Sequence, residues 1–287
     1  MSQDPFQAAR PRIRGLAYRM LGTLADADDV AQDTWLRWQA AGGAHIANAE
    51  AWLVTTATRL CLDRLRSSAR ARETYPGPWL PEPIVTDPGP EKAAELSDSL
   101  TFGFLVLLDQ LAPVERAVFV LADVFEVPYA EIAATVGRSQ AACRQIASRA
   151  RRRLRPDKQP CPPTAADREL VNGLLRALAC GDVNEVVARL APDVVCITDG
   201  GPKRRAARRP VIGSGRVARF LTSTARRYGR LTTQSAVVGG SAGAILWAGD
   251  MIEQVMAVQS EDGVITSVYF IGNPDKHTSV GHPVVIE

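Results

Sequence analysis

Tyr129-Ala130-Glu131-Ile132-Ala133-Ala134-Thr135-Val136-Gly137-Arg138-Ser139-Gln140-Ala141-Ala142-Cys143-Arg144-Gln145-Ile146-Ala147 has the spacing of two short helices joined by a tight turn. Helices that cross steeply need a tiny residue where their backbones meet, and Ala133 supplies it. They also need a residue that accepts a left-handed conformation, and Gly137 follows four positions later. Ile132, Val136, Cys143 and Ile146 then fall on the inward faces, and Ser139 is a natural N-cap for the second helix. The stretch predicts a helix-turn-helix.

The second of these helices carries Arg144, Arg149, Arg151, Arg152, Arg153 and Arg155, with no acidic residue between Ser139 and Arg155. Ser139, Gln140, Arg144 and Gln145 have the side chains that read base edges, since Arg pairs with guanine and Gln with adenine. Ser148, Arg149 and Arg152 extend the same DNA-facing set, with the later arginines suited to phosphates, which position without specifying. A basic run alone is as well explained by solvated arginines on an amphipathic helix. Here it coincides with the turn, the cap and the apolar spacing, which favours DNA.

Outward from this motif, two proline-rich stretches divide the chain. Six prolines fall between Tyr75 and Pro90, and four more between Pro156 and Pro163. Such density excludes helix. The segments left are about 70, 65 and 125 residues long, ordinary for small domains. The first reads as helical over 5–22, 26–40 and 49–71. The second reads as a helix over 91–110, another opened by Pro113, and two between Pro128 and Arg155. The third has helices at 164–179 and 182–190, then β-type runs at Val194–Ile197, Ala244–Trp247 and Val264–Tyr269. That predicts an α+β domain with an antiparallel sheet after the helices.

Composition excludes several classes. Hydrophobic content of 46% with 23% charged residues suits a globular chain with sizeable cores. No apolar run is long enough to span a bilayer and the N-terminus has no secretory pattern, so the expected location is cytoplasmic, with no membrane partner. Five scattered cysteines without Cys-x-x-Cys spacing, and only three histidines, predict reduced thiols and neither metal nor cofactor. The net charge of +3 decides nothing by itself.

Leu111-Ala112-Pro113-Val114-Glu115-Arg116-Ala117-Val118-Phe119-Val120-Leu121, Pro128-Tyr129-Ala130-Glu131-Ile132-Ala133 and Arg149-Ala150-Arg151-Arg152-Arg153-Leu154 together resemble region 4 of the extracytoplasmic-function sigma factors. That resemblance implies docking of the second helix in the −35 element of a promoter. Arg138 stands where an aliphatic residue is common. Tyr18-Arg19-Met20-Leu21-Gly22 with Ala27-Asp28-Asp29-Val30-Ala31-Gln32-Asp33-Thr34-Trp35-Leu36 resembles the part of region 2 that grips the clamp of core RNA polymerase. It implies core contacts from Asp29, Gln32, Asp33 and Leu36. Ala51-Trp52-Leu53 with Thr58-Arg59-Leu60-Cys61-Leu62-Asp63-Arg64-Leu65-Arg66 resembles the part that reads and opens the −10 element, implying DNA contacts from Trp52, Arg59, Asp63, Arg64 and Arg66. An Asn is common where Arg59 stands. A melted strand is held by stacking surfaces and cations, which Trp52 and the arginines, with Arg70 and Arg72, supply. Helix capping accounts for one of Asp26, Asp28 and Asp29, and core packing for one of Trp35 and Trp38.

Ala177-Leu178-Ala179-Cys180-Gly181-Asp182-Val183 and Leu190-Ala191-Pro192-Asp193-Val194-Val195 are similar to the SnoaL-like, NTF2-like fold, in which a curved sheet and helices enclose a conical pocket. Sigma factors with such a domain form a subfamily, and three of its signatures recur: Trp79-Leu80-Pro81, Asp199-Gly200-Gly201-Pro202-Lys203, and Asn273-Pro274-Asp275-Lys276-His277. Pro202 replaces a Gly and His277 a Leu. The expected organisation is therefore multidomain: two all-α sigma domains, the second with the helix-turn-helix, then the α+β domain. The expected boundaries are 1–74 for region 2, 75–90 for a linker, 91–158 for region 4 and 164–287 for the SnoaL-like domain.

Related folds host isomerases, for which Asp199 or Asp250 would be the base and Tyr269 the donor. Carboxylates beside glycines are more often turn residues, and the expectation is no enzyme. The regulatory set is Trp79, Leu80, Pro81, Asp199, Lys203, Asn273, Pro274, Asp275 and Lys276, with an unknown small ligand as a candidate occupant of the pocket. The exposed tryptophan of a proline-rich linker is costly to leave in water and is expected to dock on a neighbour. The basic loop Lys203-Arg204-Arg205-Ala206-Ala207-Arg208-Arg209 is expected to be solvated, or otherwise to touch DNA or acidic residues of the sigma half. The reading is a sigma factor that directs promoter recognition and transcription initiation, modulated by its own C-terminal domain. The rivals are a ligand-sensing helix-turn-helix regulator and a SnoaL-type isomerase tethered to a DNA-binding module.

Overall fold

The computed structural model describes residues 4–42, 46–86, 101–154, 163–229 and 231–281, with the side chains of 68–73 and 86 excepted. The expected helix over 91–110 is therefore described only from 101 onward; Arg155, residues 156–162 and the side chains of Arg70 and Arg72 lie outside the description. Two compact units result. One gathers residues up to Thr74 with Phe104 onward through the helix-turn-helix; the other gathers Tyr75–Gly103 with Lys158 onward.

The first unit is all helix. It begins with α1 (Pro5–Leu21), α2 (Leu24–Ala40) and α3 (Ala49–Glu73). Asp4 caps α1 through the Phe6 amide, and Gly22 ends it in the left-handed conformation. Ile13, Leu16, Met20, Ala27, Val30, Leu53 and Ala57 fill the three-helix core. Thr23, rather than any of the three aspartates, is the N-cap of α2, accepting from the Asp26 amide at 3.2 Å. The expectation of an aspartate cap is corrected accordingly: Asp26 lies in the first turn, where it accepts from the Thr23 hydroxyl.

The rest of this unit is α4 (Phe102–Leu108) from Phe104 onward, α5 (Pro113–Phe119), α6 (Tyr129–Val136) and α7 (Gln140–Leu154). Pro113 opens α5 as expected, and a π-turn at Val120–Val124 closes it. Arg116 is buried; it donates to the Met20 carbonyl at 2.9 Å and pairs with Asp109 at 2.8 Å. That contact ties the second helical group to the end of α1.

The second unit carries α8 (Ala165–Cys180), α9 (Val183–Ala188) and α10 (Ser214–Tyr228) against a seven-stranded sheet. The strands are β1 (Val85–Thr86), β2 (Leu190–Asp199), β3 (Val211–Ile212), β4 (Thr232–Val238), β5 (Ser241–Ala248), β6 (Met251–Glu261) and β7 (Val264–Ile271), in the order β1-β4-β5-β6-β7-β2-β3. β4 to β7 form an antiparallel meander, but β2 pairs with β7 in parallel, with Ile197 opposite Tyr269. The sheet is thus mixed where an antiparallel one was expected. The cause is α10, which the sequence did not announce: it opens at Gly213 with no side-chain cap and carries the chain back across the sheet. Leu174, Val194, Cys196, Val217, Leu221, Met256 and Val268 form the core between the helices and the sheet's concave face.

One strand comes from the proline-rich linker. Val85 and Thr86 pair with Val238 and Val237, and the Gly239 amide donates to the Ile84 carbonyl at 2.8 Å. Proline at an edge costs no ladder bond, which is why so proline-rich a segment can serve as an added edge strand.

Candidate nucleic-acid interface and linker lock

The helix-turn-helix forms as its local sequence dictates. Gly137 ends α6 at φ 65 and ψ 45, and no neighbouring atom would obstruct a side chain there, so the glycine serves the backbone conformation alone. Ser139 accepts from the Ala142 amide at 3.2 Å. Ile132 and Cys143 are fully buried, Val136 and Ile146 half-buried, and Ala147 and Ala150 complete the inner face of α7. Gln140, Arg144, Gln145, Ser148, Arg149 and Arg152 are all exposed. Arg144 lies 5.5 Å from the Tyr129 ring centre and donates to Gln140 at 3.4 Å, which pre-orients the pair. Arg151 is engaged differently: it pairs with Asp123 at 2.6 Å and donates to the Tyr129 hydroxyl. It therefore braces α7 and is less available to phosphate than Arg152 and Arg153.

The region 2 residues separate into those on the surface and those holding the unit together. Gln32 and Leu36 are exposed, Leu36 at 51%, beside Trp35 at 38%. Trp38 is the buried member of its pair and stacks obliquely on Trp52 at 5.7 Å. Trp52 is consequently half-buried. Arg64 reaches Asp26, Asp29 and Asp33 at 3.4, 3.2 and 3.0 Å, so the expected −10 arginine and two expected core-contact carboxylates neutralise one another. Asp63 and Arg66 form an exposed pair three residues apart. Arg59 donates to the carbonyls of Ala134 and Thr135, at 3.1 and 3.4 Å, and Thr55 shares a hydrogen bond with Thr135. Orphan carbonyls at the end of a helix are natural partners for a guanidinium. Here the helix is α6, so α3 is held directly against the helix-turn-helix.

In the second unit, Asp199, at the end of β2, is the centre of a buried lock. Its carboxylate accepts from the Tyr75 hydroxyl at 2.6 Å, the Leu80 amide at 2.9 Å, the Gly201 amide at 2.9 Å and Lys276 Nζ at 2.7 Å. The side chain is fully buried, and that of Lys276 is 7% exposed. Lys276 also donates to the Leu80 carbonyl and lies 4.0 Å from the Trp79 ring centre and 5.3 Å from that of Tyr75. Asn273 donates to the Tyr75 hydroxyl and caps the short 3-10 turn Pro274–Lys276, while Lys203 pairs with Asp275. Burial, then the hydrogen bond to Asp199, pushes the Tyr75 phenol above its ordinary range, keeping it a donor. Farther on, Thr278 donates to Glu82 and Ser279 to the Pro83 carbonyl. Trp79, Leu80, Pro81, Asp199, Lys203, Asn273, Pro274, Asp275 and Lys276 thus converge in one place. Tyr75 and Glu82 were missed by the sequence reading; an aromatic four residues before Trp79 was the available signal.

The isomerase constellation is not assembled. Asp199 is saturated by donors and charge-paired, Asp250 is exposed beside the β5–β6 turn, and the Tyr269 hydroxyl donates to Gln259. Tyr269 packs on Phe102, whereas its neighbour Phe270 lines the cavity of the concave face; successive residues of a strand face opposite ways. Among the described cysteines none is in a disulfide, and burial pushes the Cys196 thiol up to about 12. Among the described residues no helix is long and apolar enough to cross a membrane.

The first unit thus joins a helix-turn-helix, whose second helix exposes a row of polar and basic side chains, to a three-helix group with an exposed Trp35–Leu36 surface. The sigma-70 region 2 family model matches residues 6–71, and the sigma-70 region 4 model matches residues 103–154. The chain is 41% identical to ECF RNA polymerase sigma factor SigJ of Mycobacterium tuberculosis, over 97% of this chain and 94% of SigJ. It is 30% identical to the probable ECF RNA polymerase sigma factor SigI of that species, over 96% of both. The crystal structure of SigJ superposes with a TM-score of 0.78 at 38% identity, covering 97% of this chain and 99% of that one. The chain belongs to the extracytoplasmic-function sigma factors. It is a promoter-recognition and transcription-initiation factor whose sigma regions are followed by an NTF2-like domain.

Proposed function

We propose that the C-terminal domain governs sigma activity by holding the linker between regions 2 and 4. The observation that carries this reading is the lock at Asp199: four donors converge on one buried carboxylate, and two of them, Tyr75 and Leu80, belong to the linker. A linker gripped at 75–86 leaves less chain for regions 2 and 4 to separate. The −35 element is read by Ser139, Gln140, Arg144 and Gln145, with Ser148, Arg149 and Arg152 toward the phosphates. The −10 element is met by Trp52, Arg59, Asp63, Arg64 and Arg66, and the polymerase clamp by Asp29, Gln32, Asp33 and Leu36. Boundaries near 74, 90, 158 and 164 separate the working parts. The C-terminal domain is regulatory and not an enzyme, since its candidate base is spent on the lock. The protein works in the cytoplasm with core polymerase and promoter DNA.

The test is transcription from a defined promoter by purified core polymerase with the full chain or with Trp79→Ala. The native chain should initiate, and Trp79→Ala should change the yield at least severalfold while −35 binding is retained. Equal yields from the two proteins would remove the lock from control. Initiation without any dependence on this chain would remove the sigma assignment of these residues.

A further inference from the structure

The concave face of the second unit contains a cavity of about 130 Å³ that the sigma activity does not use. Its wall is apolar, formed by Leu178, Phe220, Leu221, Leu231, Leu246 and Phe270. Its polar groups are few: the Tyr228 hydroxyl accepts from Gln254 Nε2 at 3.2 Å and keeps its own proton to donate. The mouth differs in character. Arg205 borders the cavity and also an adjoining open cleft, which is lined by Arg204, Arg208 and Arg227 and by one carboxylate, Glu253. Glu253 is already paired with Arg204. Arg205, Arg208 and Arg227 are exposed, so the rim carries an excess of positive charge over an apolar interior.

We propose that this domain binds a small amphipathic anion, with an apolar body in the cavity and a carboxylate at the arginine rim. The size follows from volume, because an apolar cavity of roughly 150 Å³ holds a benzene-sized molecule. The body is therefore a single ring or a chain of about six to eight carbons. The charge follows from the rim: guanidinium groups match carboxylates in geometry as well as sign. Tyr228 offers a hydrogen bond within the apolar part, which fixes orientation. Asp199 and Gly200 form part of the same wall, so an occupant touches the residue that grips the linker. That last step rests on the control proposed for the linker; the binding itself does not.

The experiment uses the full chain, titrated calorimetrically with phenylacetate and hexanoate, and with hexanol and hexylamine as uncharged and cationic counterparts. The acids should bind about fivefold more tightly than hexanol, the worth of one favourable charge contact at a partly exposed rim, and the amine most weakly. Arg205→Gln with Arg227→Gln should erase the preference for acid over alcohol. Leu246→Phe should abolish binding of all four; Thr224→Phe, at the half-buried mouth, gives a second obstruction if the first variant folds poorly by circular dichroism. No binding of either acid at millimolar concentration, or equal binding of acid and amine, overturns the proposal. So does binding that survives both obstructions. Acid binding with no effect on transcription upholds the ligand class and overturns only the link to the linker.

Discussion

Arg144 and Arg152 lie two turns apart on α7, yet their surroundings assign them different work. Arg144 is pre-oriented by Tyr129 and Gln140 near the N-terminal end of α7, whereas Arg152 stands among exposed arginines farther along. Arg144→Ala is expected to cost about 1–3 kcal/mol and to relax preference at one −35 position. Arg152→Ala should weaken all sequences alike and flatten the dependence on salt. Affinities across a set of single-base promoter variants at two salt concentrations check both, and a uniform loss for Arg144→Ala would refute the assignment. Lys276 presents a different problem. Removing its ammonium strands a buried carboxylate, so Lys276→Met should destabilise the second unit by about 3–5 kcal/mol, much of it restored by adding Asp199→Asn. Denaturant unfolding of the single and double variants measures the coupling; additive losses would mean that the two side chains do not act as a pair.

At the scale of elements, α2 illustrates how pairing selects which residues are available to a partner. Asp29 and Asp33 already neutralise Arg64, so reversing their charge would disturb α3 as well as any polymerase contact. Leu36 and Gln32, exposed beside Trp35, are the cleaner probes. Leu36→Glu should weaken co-purification with core polymerase at least tenfold, about 1.4 kcal/mol, with the helical circular dichroism unchanged. Undiminished binding would move the clamp contact to another face. The elements themselves differ in how far the sequence revealed them. α1, α2, α3, α6 and α7 were legible because caps, turns and periodicity are local signals. α10 lacks a polar cap and β1 is two residues long, so neither leaves a local signal.

Across the sigma half as a whole, α3 is hydrogen-bonded to α6, so surfaces meant for two promoter elements belong to one compact unit. A compact body of about 130 residues has a radius of gyration of roughly 14 Å. Elements at −10 and −35 are about 25 base pairs apart, roughly 85 Å of duplex at about 3.4 Å per pair. If the −10 and −35 surfaces are those proposed, we predict that the unit opens before both are read and that Arg59 leaves the carbonyls of α6. Fluorophores at Gln39→Cys and Glu131→Cys in a Cys161→Ser, Cys180→Ser background should show high energy transfer in the free protein and a clear loss on binding core polymerase and promoter. Unchanged transfer in the assembled complex would contradict opening.

The amino-acid sequence by itself determined that this chain has two helical sigma regions, a helix-turn-helix and an α+β domain. Each of those rests on interactions within a few residues: Gly137 accepting a positive φ, Ser139 capping α7, Pro113 opening α5. Only the tertiary structure decided where the linker goes. The partners in the lock, Tyr75, Leu80, Asp199 and Lys276, are separated by up to 201 residues, and no period or spacing connects them. Their meeting depends on the parallel pairing of β2 with β7, which carries Asp199 to the same end of the sheet as Asn273 and Lys276. The same distinction holds for Arg59 and Arg64: their type was legible, but their partners are backbone carbonyls and carboxylates that packing alone brings within reach.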